Sequence, residues 1–150
     1  MPQSLSKNTL HLVFSTKNRH PFISDEVRPE LHAYIATVLK NLKSPAITIN
    51  SVDDHIHILF ILHPTVSLSS AIEDIKKSSS KWIKQKSTPL SKFSWQSGYG
   101  AFAVSESNID QVTTYIENQQ DHHRTKSFQE ELRMILTKHH IAFDERYLWD

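Results

Sequence analysis

An α+β fold, in which one antiparallel sheet carries helices on one of its faces, is the class this sequence predicts. Three observations carry it. Short strand-like runs alternate with longer stretches of helical apolar spacing in the order β-α-β-β-α-β. Two of the runs, 46–52 and 55–62, are joined only by Asp53-Asp54, which makes them a hairpin and therefore antiparallel. The 150 residues suit one packed domain, spanning 1–150, better than two.

The first strand is read from Leu10 to Thr16 (LHLVFST), ending in the polar loop Lys17-Asn18-Arg19-His20-Pro21. A helix follows: Ser24 is placed to cap it, Asp25 and Glu26 favour its first turn, and Val27, Leu31, Ile35, Val38, Leu39 and Leu42 recur at helical spacing. After the hairpin, a second helix from about Ser67 to Gln85 buries Leu68, Ile72, Ile75, Ser79, Trp82 and Ile83 and turns Lys77, Lys81 and Lys84 outward. Residues 93–104, which hold both glycines, read as an irregular or bulged strand closing the sheet. A third helix starts near Ser107 with Ile109, Val112 and Ile116 inward. Ser127-Phe128-Gln129-Glu130 has the form of a capping box for a last helix running to about His139. The whole order is that of a ferredoxin-like split βαβ sandwich with added C-terminal helices.

Composition excludes several classes. No apolar stretch approaches membrane-spanning length, and Met1-Pro2-Gln3-Ser4 does not open a secretory signal. The absence of cysteine removes disulfides and thiolate metal sites, so a cytoplasmic protein is expected. The formal charge of +1 does not by itself announce a nucleic-acid binder. However, six of the 17 basic residues (Lys76, Lys77, Lys81, Lys84, Lys86, Lys92) crowd one short segment. Such a face is either a solvated amphipathic helix or a phosphate-tracking surface.

Chemistry is concentrated at His55-Ile56-His57. Strand periodicity sends both imidazoles out of one face and Ile56 and Ile58 out of the other, which makes half a metal site. Alone, such a pair is weak evidence, because many histidines are satisfied by hydrogen bonds and bind nothing. A histidine-triad nucleotide hydrolase would need a third histidine where Leu59 stands, and a TIM-barrel metallohydrolase needs about 250 residues. Sixty residues on, Tyr115 and Gln119 are spaced to share one helix face, with His122 beside them. A divalent cation on His55, His57 and Gln119 would polarise a phosphate oxygen and orient phosphorus toward Tyr115, whose phenol otherwise costs about 4 kcal/mol to ionise at pH 7. Mg²⁺ or Mn²⁺ suits this role. His122 and His123 offer a further ligand, a proton path or a phosphate contact, or simply a polar helix end. Asp54 offers an orienting partner for an imidazole, or simply a turn. His11, His20, His32, His63, His139 and His140 have no telling spacing.

These residues resemble the single-tyrosine HUH transposases of small insertion sequences, including those associated with repetitive extragenic palindromes. The likeness runs through Val13-Phe14-Ser15-Thr16-Lys17-Asn18-Arg19, Asp54-His55-Ile56-His57, Lys77-Ser78-Ser79-Ser80-Lys81-Trp82-Ile83, Trp95-Gln96-Ser97-Gly98-Tyr99-Gly100, Tyr115-Ile116-Glu117-Asn118-Gln119 with His122-His123, and Glu145-Arg146-Tyr147-Leu148-Trp149. The resemblance implies a homodimer that recognises single-stranded DNA hairpins. It makes Tyr115 the nucleophile of a 5′-phosphotyrosine intermediate and His55, His57 and Gln119 the metal ligands. It also favours Lys17, Arg19, Lys77, Lys81 and Lys84 as DNA-binding residues and makes Trp95 and Tyr99 core or dimer residues. The alternatives are a non-catalytic, domesticated hairpin-binding protein, or an HUH nickase of replication or transfer, whose chains usually carry further domains.

Overall fold

The sheet has the order β2-β3-β1-β4, with every neighbouring pair antiparallel. In the computed structural model, which describes residues 3–123 and 126–150, β1 (Asn8–Ser15) leads through α1 (Arg28–Asn41) to β2 (Ala46–Ser51) and its hairpin partner β3 (His55–Leu62). Then come α2 (Leu68–Ile83), β4 (Gly100–Ala103), α3 (Ile109–Glu117), α4 (Gln119–His122) and α5 (Phe128–Lys138). β3 lies between β1 and β2, the split βαβ arrangement expected from the order of elements.

Alternation along the two central strands divides the residues between two faces. Leu10, Leu12 and Phe14 of β1 join Ile56, Ile58, Phe60 and Leu62 of β3 on one face, against Leu31, Ile35 and Leu39 of α1 and Ala71, Ile72, Ile75 and Ile83 of α2. The opposite face is covered by the C-terminal helices: Val13 and Phe102 pack with Phe128, Leu132, Ile135 and Leu136 of α5. In β1 and β3 the register sets Ser15 opposite His55 and Val13 opposite His57, so the histidine pair belongs to this second face. It is walled in by α5 rather than open to water.

Side-chain caps are found at two helices. Ser67 accepts a hydrogen bond from the Ser70 N–H at 3.1 Å and Ser127 one from the Glu130 N–H at 3.2 Å, capping α2 and α5. Ser24 does not cap α1; the residue before that helix is Val27, with Pro29 in the first turn. The strand expected across 93–104 pairs only over Gly100–Ala103, apart from a single bridge from Trp95 to Thr16. Lys76 accounts for this, because its ammonium donates to the carbonyls of Gln96, Ser97 and Gly98 at 2.8, 3.3 and 2.7 Å. Those carbonyls turn toward α2 instead of joining a ladder. Where pairing resumes, Gly100 lies opposite Val13, and a Cβ there would stand 3.0 Å from the Phe102 ring and 3.2 Å from Val13. Trp95 is core as expected, donating from its indole N–H to the Ser79 hydroxyl at 3.0 Å, whereas Tyr99 is exposed.

Candidate active site

Two adjacent strands and three C-terminal helical segments converge on the histidine face. His55 and His57 are fully buried on β3. The helix expected to carry Tyr115 and Gln119 on one face is broken at Asn118 (φ −98°, ψ 23°), so α3 ends after Tyr115 and Gln119 opens α4. The break leaves their i,i+4 relation intact: the Gln119 amide donates to the Tyr115 carbonyl at 3.4 Å, and Gln119 is fully buried. The ring of His122 stacks on Tyr115 with centroids 4.6 Å apart.

The centre of the cluster is a residue that sequence reading missed. The Glu131 Oε1 atom lies 2.9 Å from His57 Nε2, 3.2 Å from His55 Nε2 and 3.1 Å from His123 Nε2. Its Oε2 accepts the hydroxyl of Tyr115. His123 Nε2 also approaches His55 Nε2 and Gln119 Oε1, each at 3.0 Å. A signal for Glu131 did exist: it falls on the inward stripe of α5 beside Phe128, Leu132 and Ile135, where an acidic residue is out of place unless paired.

Hydrogen bonds crowd this group. One N–H on His123 cannot serve two facing acceptors and a second imidazole nitrogen at once, and a carboxylate oxygen has two lone pairs for three converging rings. A cation resolves the conflict, since every one of these atoms then presents a lone pair. His55, His57, His123 and Glu131 offer donor atoms all within 4.8 Å of one another. Neighbouring donors around a six-coordinate ion of the Mg²⁺ type stand about 3 Å apart, close to the spacings here. The residues therefore fit a divalent metal.

Partners behind the cluster hold its rings in place. Asp54 meets His55 Nδ1 at 2.7 Å. His57 Nδ1 meets His11 Nε2 at 2.8 Å, a link from β1 that spacing did not suggest. Burial, with the His57 ring beside it, pushes His11 down to about 3. Burial likewise lowers His57. For His55, burial is outweighed by hydrogen bonds with Asp54 and Glu131, and its pKa rises. Glu131 is held far below the carboxylate range because hydrogen bonds from His123, His55 and His57 outweigh its desolvation. The Tyr115 phenol is pushed up by burial and by the Glu131 charge.

The predicted DNA-binding residues separate into two groups. Arg19 lines a cleft of about 840 Å³ together with Arg28, Asp54, His123 and Lys126, at the edge of the ligand cluster, and Lys17 is exposed in the same short turn. Lys77 and Lys81 belong to α2 and Lys84 follows as its C-cap, on the other side of the sheet from the histidines, and all three are exposed there. Among the described residues no helix is long and apolar enough to cross a membrane.

Known proteins are similar to this chain in fold and, in part, in sequence. The crystal structure of a candidate transposase from Deinococcus radiodurans superposes with a TM-score of 0.62 at 24% identity, over 79% of this chain and 98% of that one. A REP-associated tyrosine transposase bound to a REP hairpin gives a TM-score of 0.59 at 18% identity, over 82% of this chain and 73% of that one. In sequence, the ISDra2 transposase TnpA of D. radiodurans is 25% identical over 116 residues, 74% of this chain and 83% of its own length. A family model described as "Transposase IS200 like" matches residues 4–119, from before β1 to the predicted ligand Gln119. With its buried histidine pair, Tyr115 and split βαβ sheet all within that span, the chain belongs to the IS200-like transposase family.

Proposed function

We propose that the protein is a divalent-metal-dependent DNA strand transferase that cleaves and rejoins single-stranded DNA through Tyr115. One observation carries the reading: the Tyr115 hydroxyl and the Nε2 atoms of His55 and His57 all meet the same carboxylate, so the nucleophile and the ligand pair share one small volume. His55, His57 and Gln119 would hold Mg²⁺ or Mn²⁺, and the ion would supply polarisation of the scissile phosphate. Tyr115 Oη forms the bond to phosphorus while the bond to the 3′ oxygen breaks. The phenol's proton passes in net terms to the departing 3′-hydroxyl, leaving a 5′-phosphotyrosine. Phenolate is a better leaving group than an alkoxide, so a 3′-hydroxyl can reverse the step and reseal DNA without another energy source.

Arg19, which lines the cleft, and Lys17, exposed in the same turn, would bind phosphates flanking the scissile bond. Lys77, Lys81 and Lys84 are assigned to the backbone of a hairpin marking the element's end, a substrate supported by the hairpin-bound structural relative. The family resemblance extends the reading to a homodimer supplying two tyrosines for two ends. The test is incubation with 3′-labelled single-stranded hairpins from the flanks of the gene, with and without Mn²⁺, resolved on denaturing gels. A labelled protein band that requires Mn²⁺ and disappears in Tyr115→Phe is expected. Tight binding without an adduct, across oligonucleotides that include the true ends, would instead identify a non-catalytic hairpin-binding protein.

A further inference from the structure

We infer that Glu131 of the C-terminal helix α5 is itself a ligand of the metal and, through its second oxygen, the residue that positions Tyr115 against it. This rests on the metal-dependent reading above and adds to it a part of the chain beyond the family match, which ends at Gln119. Three independent features support it. Glu131 is only 1% exposed on a helix face that is otherwise apolar, and burying a carboxylate so deeply demands a strong partner. Its Oε1 stands 2.9 to 3.2 Å from three imidazole nitrogens, a separation suited to donors sharing one ion. Its Oε2 accepts the Tyr115 hydroxyl, so one carboxylate spans the ligand set and the nucleophile.

The consequence is a different charge balance from the one the sequence suggests. His55, His57 and Gln119 are neutral ligands that would leave the ion's full charge facing the DNA. Adding Glu131 removes one unit of that charge and in exchange fixes the distance between ion and phenol. It also ties α5 to the sheet by a bond to the metal. The ion is then held from both sides of the cluster, by β3 and by α5.

Binding of Mn²⁺ alone, read from the spectrum of the free aqueous ion by electron paramagnetic resonance, separates the possibilities without DNA or activity. Wild type should bind, His57→Ala should not, and Glu131→Gln should bind at least tenfold more weakly. Backbone amides of α5 should gain protection from hydrogen exchange when Mn²⁺ is added to wild type. This second readout decides the matter even if Glu131→Gln folds poorly. Equal or tighter Mn²⁺ binding by Glu131→Gln, with binding lost in His57→Ala, would overturn the inference and make the carboxylate a competitor of the ion. No gain of protection in α5 on Mn²⁺ binding would overturn it as well. Failure of wild type to bind Mn²⁺ at all would instead overturn the metal-dependent reading beneath it.

Discussion

His11 illustrates how a single side chain acquires a role from its neighbours. Burial keeps its imidazole neutral, and with a metal bound its Nε2 would accept the Nδ1 hydrogen of His57, leaving the His57 Nε2 lone pair free for the ion. Asp54 would do the same for His55 from 2.7 Å. Loss of such an orienting partner typically weakens metal binding by about 10- to 100-fold. His11→Phe should therefore reduce Mn²⁺ affinity by about tenfold while leaving hairpin affinity unchanged. His11→Gln, whose amide oxygen can accept the same hydrogen, should restore most of it. Equal Mn²⁺ affinity in all three proteins, measured by titration calorimetry, would make His11 a packing residue. Neither His11 nor Glu131 was legible as functional in the sequence, because each works through a partner on another element: 46 residues away for His11 and 74 for Glu131.

At the scale of elements, α5 is the piece on which the site depends most. Its start is written locally, in the Ser127 cap, and its docking in the stripe Phe128, Leu132, Ile135 and Leu136. Removing a side-chain cap costs about 1 kcal/mol. Ser127→Ala should accordingly make the α5 amides exchange roughly fivefold faster, with β1 and β3 unaffected, since those strands lie in the core of the sheet. Uniform acceleration across the whole chain would mean that α5 and the sheet open together. β4 was the least legible element. Its expected extent was set by an aromatic run, whereas its real extent was set by Lys76, whose interaction with three backbone carbonyls 20 to 22 residues away ends the pairing.

Across the whole molecule, the sheet acts as a partition. The cluster of His55, His57 and Glu131 lies with Tyr115 on one side and the lysines of α2 on the other. DNA binding and cleavage should thus be separable. The double change Lys77→Glu with Lys81→Glu should weaken hairpin binding and lower the salt slope by about 0.7–0.9 for each phosphate that is no longer neutralised. At saturating DNA it should leave the rate of covalent capture nearly unchanged. An unaltered affinity and slope in filter-binding assays across a salt series would remove α2 from the DNA-binding surface.

Periodicity alone determined the order of strands and helices, the two-faced sheet and the fact that His55 and His57 leave it together, because a strand's alternation is a property of its own backbone. Helical spacing likewise placed Tyr115 beside Gln119, even though the helix breaks between them. Only the tertiary structure decided that α5 covers the histidine face and brings Glu131 into the middle of the cluster. It alone decided that His123 points inward, and that the α2 lysines stand on the far side. Those outcomes follow from how whole elements pack, and packing is settled by apolar surfaces that many arrangements could bury, whereas a buried carboxylate tolerates very few.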